Sequence, residues 1–164
     1  MANSLFSIKV SCSANELHKV EAFVEDICDY HNVFNVYFGN ILIATSELFS
    51  FLTNLFPGKE IELYSQFTKG SLVVGYNIGE RFNEVSQYYQ KGLSGFIESE
   101  HISENEKRLL STALLTDDII LDLSKNNLEL IFCIKAEASH REKKISKYIE
   151  SLSETKLLRA NKGN

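Results

Sequence analysis

The chain has no tryptophan, one proline, one methionine and eight glycines among its 164 residues. So few backbone breakers exclude a collagen-like, disordered or loop-dominated polypeptide. The three cysteines, Cys12, Cys28 and Cys133, are odd in number, far apart and unaccompanied by a CxxC or a Cys/His cluster. That excludes a disulfide scaffold and a zinc site, and predicts reduced thiols packed as small apolar groups. No apolar run reaches the roughly 18 residues a membrane span requires, and no charged head followed by an apolar core opens the chain. A cytoplasmic protein without membrane contact is the expectation.

Excess positive charge is also missing. Seventeen Lys and Arg stand against twenty-two Asp and Glu, a formal charge of −5, which gives nucleic-acid binding no general electrostatic support. The charge is uneven: eight of the basic and four of the acidic residues fall from Lys135 onward, leaving nine against eighteen before it. A basic tail of +4 thus follows an acidic body of −9, and the natural division is a domain over 1–135 and a charged C-terminal helix and tail over 136–164. There is no GxSxG, no P-loop and no metal-type spacing among His18, His31, His101 and His140, which read as surface or helix-end histidines.

What is present is a 44% hydrophobic composition rich in Phe and Tyr, enough for one buried core. The organising stretch is Asn35 to Phe56. Ile41, Leu42, Leu48, Phe49, Leu52 and Leu55 recur at three-and-four spacing, which predicts one long helix. On its other side Asn40, Glu47 and Asn54 stand seven apart with Ile43, Ala44 and Phe51 between them, so the helix is apolar nearly all round and should be buried on most sides. Glu47 is then either turned to water at the helix edge or held for a purpose, because a lone buried carboxylate costs several kcal/mol.

The flanking pattern completes the order. Ser4 to Cys12 alternates as a strand, and Ser13 with Glu16 forms a capping box before a helix ending near Asp29. Pro57 and Gly58 stop the central helix. Lys59 to Phe67 and Ser71 to Asn77 read as a hairpin turning through Thr68, Lys69 and Gly70. A helical stretch through Val85, Tyr88, Tyr89, Phe96 and Ile97 follows, then a second capping box, Ser103 with Glu106, opening another helix. Ile119 to Leu123 and Leu128 to Ile134 are two more strands around a turn at Ser124 to Asn127, with Asp117, Asp118 and Asp122 placed to cap backbone amides. The apolar stripe Ile145, Tyr148, Ile149 and Leu152 marks the C-terminal helix. Together these predict an α+β fold, a two-layer α/β sandwich whose mostly antiparallel sheet carries helices on one face.

This order, with Glu47 inside the second helix, Asn77-Ile78-Gly79 after the hairpin and LLTDDIILDLSKNNLELIF near the end, resembles the GHKL ATP-binding (Bergerat-type) fold, in particular the bacterial anti-sigma-factor serine kinases. The resemblance covers roughly Ser4 to Ile134 and rests on topology more than on motifs. It implies that Glu47 occupies the place of the catalytic base. The Asn that helps hold Mg²⁺ four residues on is here Phe51, and Asn54 shares the face but lies further along the axis. The adenine-binding DxGxGF corresponds to Asn77 through Phe82, with Asn77 able to accept, Gly79 retained and Arg81 in place of the second glycine. The phosphate-cradling glycine turn falls near Arg108, where there is no glycine. Arg81 and Arg108 are either charge partners for a phosphate or solvated surface groups.

On this footing the expected ligand residues are Asn77, Gly79, Asn54 and Arg81, with Glu47 catalytic only if the chain is active, no dedicated metal site, and ATP and Mg²⁺ as cofactors by resemblance alone. Three functions follow. One is a degenerate kinase-like regulator that binds a sigma-factor or an anti-anti-sigma-like protein, with a homodimer possible. The second is an active ATP-dependent serine kinase or ATPase. The third is an unrelated α+β interaction domain.

Overall fold

The computed structural model describes residues 5–33, 36–90 and 103–134. The expected C-terminal helix, and the part of the third helical stretch that holds Phe96 and Ile97, lie outside them. The described body falls within the unit Met1–Ile134.

The elements follow the order β1 (Leu5–Ser11), α1 (Leu17–Tyr30), α2 (Val36–Leu55), β2 (Glu60–Thr68), β3 (Ser71–Asn77), α3 (Phe82–Gln90), α4 (Glu104–Leu115), β4 (Asp118–Asp122) and β5 (Asn127–Cys133). The five strands form one sheet, β1-β2-β3-β5-β4, in which every neighbouring pair is antiparallel. The fold is α+β, a two-layer sandwich.

Strand alternation separates the two faces of this sheet. In one direction point Ile8, Leu63, Tyr76, Leu128 and Leu121, which the register aligns in a single row across all five strands. Parallel rows hold Val10 with Ile61, Val74 with Leu130, and Leu72 with Phe132. Apart from Ile8 and Leu121, which are partly buried against it, these residues join the helical side chains Val20, Ile27, Ile41, Leu48, Phe49, Leu52 and Leu109 in one buried cluster. Within the helical layer α2 packs against both α1 and α4. It meets the sheet through the buried Tyr76 phenol, which donates to the Thr45 carbonyl at 2.8 Å; a buried hydroxyl needs such a partner.

The central helix is more amphipathic than its composition suggests. Ala44 and Phe51 are buried, but Ile43 is half exposed, so a strip of α2 reaches the surface. The first capping box takes another form. Ser13 accepts from the Asn15 amide and opens a single 3-10 turn, while Glu16 reaches back to the Ser11 amide and pairs with Lys19 at 2.8 Å. At the second, Ser103 accepts from the Glu106 amide at 3.2 Å as an N-cap should.

Turn chemistry fixes the strand registers. Lys69 and Gly70 both have positive φ, 52° and 78°, which makes a two-residue type I′ hairpin between Thr68 and Ser71. The last hairpin turns one residue earlier than the sequence suggested. Asp122 accepts from the amides of Ser124 and Lys125, so the loop is Leu123 to Asn126 and Asn127 pairs with Asp122. Asp117 and Asp118 also accept backbone amides, from Cys133 and Ile119.

The first hairpin register sets Tyr64 opposite Gly75 on the face away from the helices. The ring lies over the glycine, where any Cβ would fall inside it, and its hydroxyl donates to Glu129 at 2.6 Å. Burial and the adjacent carboxylate raise the phenol pKa well above its ordinary value. Gly75→Ala is expected to cost about 1–3 kcal/mol in urea unfolding, the range for overpacking. Adding Tyr64→Ser should recover part of that loss, giving a double variant less damaged than the two singles together.

Candidate functional site

The polar line along α2 is where chemistry was expected, and α4 meets it. Arg108 donates through Nη1 to Glu47 Oε2 at 3.1 Å, with side-chain exposures of 29% and 34%. Further along, Asn54 Nδ2 donates to Asn105 Oδ1, also at 3.1 Å. The later residue of α2 meets the earlier residue of α4, so the helices run antiparallel and are clasped twice across their contact. Thr112 is buried beside this contact and donates to the Arg108 carbonyl at 2.8 Å. Glu47 is therefore neither solvated alone nor free.

Phe51, one turn beyond Glu47, is fully buried and packs edge-on against Tyr88 of α3, with ring centroids 5.1 Å apart. Mg²⁺ requires oxygen ligands in near-octahedral array. A carboxylate engaged by a guanidinium, followed by a buried hydrocarbon ring, does not fit that ion. Among the described residues no group of three or more His, Cys, Asp or Glu is placed to hold a metal.

Asn77 and Gly79 sit elsewhere. They line an open cleft of about 440 Å³ with Lys9, Lys59, Glu60 and Glu62 at the end of β1, β2 and β3. Asn77 aligns with Lys9, Glu62 and Asn127, in a row of the face opposite to that of Tyr76. Because Tyr76 reaches α2, Asn77 lies across the sheet from Glu47. Gly79 has φ 72° and turns the chain into α3, a conformation that favours glycine. Arg81 faces neither place as a free cation. It forms a two-point ion pair with Glu84, 3.1 Å at its shorter contact, and its guanidinium lies 4.6 Å from the centre of the Phe56 ring.

The place of the glycine turn is no phosphate cradle either. The α4 N-terminus is capped by Ser103 and carries Glu104 and Glu106 in its first turn, carboxylates that already complement the helix dipole and repel a phosphate. Cys12 and Cys28 are buried free thiols whose pKa values burial pushes up to about 11 and about 12, so neither is a ready nucleophile at neutral pH. No family profile matches the chain, and no curated protein is significantly similar to it.

Sequence reasoning missed two constellations. One is Tyr64 over Gly75, whose signal was the two-residue turn that fixes which residue faces the glycine. The other surrounds His31 at the end of α1. Its ring stacks on Phe67 at 4.7 Å and meets Tyr30 and Phe6 edge-on. His31 is half-buried, its Nε2 is buried without a hydrogen-bond partner, and desolvation lowers its pKa. It is a helix-end histidine, as expected, but one packed among aromatic rings. His18 is exposed as expected, and His101 and His140 lie outside the described residues.

Two outcomes follow. In a double-mutant cycle with Glu47→Ala and Arg108→Ala, the coupling in urea unfolding should be about 0.5–1 kcal/mol, as for a partly solvated ion pair; zero coupling would show that the clasp does not hold α4. For His31 the folded pKa lies below the unfolded value of about 6.5, so the unfolded chain takes up the proton first. This histidine's contribution to stability is then fully present above that pH and falls as the pH drops through it. His31→Phe should flatten that part of a thermal-stability profile, and an unchanged slope would assign it to other groups.

Proposed function

We propose that the chain is a regulatory domain that works by binding another protein, with the element order of an anti-sigma-factor kinase and without its nucleotide chemistry. One observation carries this reading: Glu47, which the resemblance would make the base, is paired with Arg108, and Phe51, where the resemblance would want a metal ligand, is a buried ring. Chemistry at Glu47 would first have to break that ion pair and then find its metal and phosphate grips elsewhere. This argues against an active serine kinase.

On the kinase-like reading the partner is a sigma-factor or an anti-anti-sigma-like regulator, and the domain works in the cytoplasm, alone or as a homodimer. No helix among the described residues is long and apolar enough to cross a membrane. The position of Asn77 across the sheet from Glu47 favours a second reading, an α+β interaction domain of separate origin. Both make the protein a binder and not an ATPase.

Calorimetric titration with ATP, with and without Mg²⁺, together with an assay for ADP release, is expected to show neither binding nor turnover. Micromolar affinity with Mg²⁺-dependent hydrolysis that Glu47→Ala abolishes would overturn the proposal and restore the active-kinase alternative.

A further inference from the structure

Resting on the reading of the chain as a protein-binding domain, we infer that the face of the sheet opposite the helices is its docking surface, and that the partner presents a cationic, amphipathic segment. The register gives this face an apolar middle of Ile131 and Ile120 beside the Tyr64 ring, with Val73 aligned to Ile131 but itself buried. Ile120 is 42% exposed there, in a strand position that a covered sheet would bury.

Around that middle the same alternation sets carboxylates on three of the five strands. Glu60 and Glu62 come from β2, Asp118 and Asp122 from β4, and Glu129 from β5. Lys9 is the one cation at the described strand positions of this face. The surplus of negative charge selects the class of occupant. Phosphates of nucleic acid or of an anionic membrane are repelled. A second copy laid face to face would bring the same carboxylates together, so isologous pairing through this surface is disfavoured too.

A cationic peptide meets complementary charge at the rim and apolar contact in the middle, the arrangement of protein interfaces generally. Part of the surface is already ordered. Glu129 is held by the Tyr64 hydroxyl at 2.6 Å, and the ring is seated over Gly75, so docking there has little side-chain freedom left to freeze. Tyrosine in such a setting is a frequent binding hot spot.

The test is an NMR titration of the isotope-labelled full chain with a short synthetic peptide of alternating lysine and valine, and with its glutamate-valine counterpart. The lysine peptide should bind, shifting amides of the strand residues on the open face and leaving α1 unmoved, while the glutamate peptide should not bind. Glu60→Lys with Glu62→Lys should weaken binding about tenfold or more, since it replaces attraction by repulsion, and added salt should weaken it as well. Glu25→Lys with Asp26→Lys, on the exposed surface of α1, is the matched control and should leave affinity unchanged.

If the β2 reversal does not fold by thermal melt, Lys9→Glu supplies the opposite arm, with tighter binding expected. Absence of binding, equal binding of both peptides, or loss of binding in the α1 control but not in the β2 variant would each overturn the assignment. Such a failure, with ATP still unbound, removes only this surface. ATP turnover would instead remove the protein-binding reading beneath it.

Discussion

The burial of α2 against one face of a five-stranded sheet is the constraint on which the rest depends. It joins Ile41, Leu48, Phe49 and Leu52 to Leu63, Val74, Leu128 and Leu130, and it draws the Tyr76 phenol onto the Thr45 carbonyl in the interior. Once α2 lies there, α1 and α4 have one place each, on its two sides. A polar group on the remaining surface of α2 is then best answered by water or by one of those neighbours, although the Thr45 and Thr53 hydroxyls are buried without a partner.

That requirement explains the fate of the expected site. Asn40, Glu47 and Asn54 share one side of α2, and two of the three are met by α4: Glu47 by Arg108 and Asn54 by Asn105. A helix that answers its neighbour's polar line in this way stabilises a helix pair, and the same contacts engage the Glu47 carboxylate and the Asn54 amide. Phe51 belongs to the same logic, since a buried ring between the two polar contacts and edge-on to Tyr88 drives helix packing. The sheet adds a geometric separation. A strand sends consecutive residues to opposite faces, so Tyr76 and Asn77 cannot both look toward α2.

The open face has its own internal order. The type I′ turn at Lys69 and Gly70 places Tyr64 over Gly75, and β5 brings Glu129 to the phenol. Three strands thus support one side-chain cluster on a face that carries five carboxylates at its described strand positions. Among the described residues the helices pack on the other face alone, which divides the sheet into a side that carries the core and a side rich in carboxylates. The chemistry of the second side differs from that of the polar line on α2, and the cleft beside Asn77 is lined by no residue of that helix.

Local pattern was enough for the elements. The three-and-four spacing in Asn35 to Phe56 wrote the long helix, alternation wrote the strands, and Pro57 and Gly58 wrote the break, because helix and strand periods and backbone breakers act over a few residues. The loop at Asp122 was shifted by one because a side chain, not a glycine, closes it. The pairing of Glu47 with Arg108, residues 61 apart, and the seating of Tyr64 between Gly75 and Glu129 were legible only in three dimensions. A charge in the sequence carries no information about which distant group will neutralise it. That choice is made by helix packing and strand register, which are properties of the whole core and not of any segment.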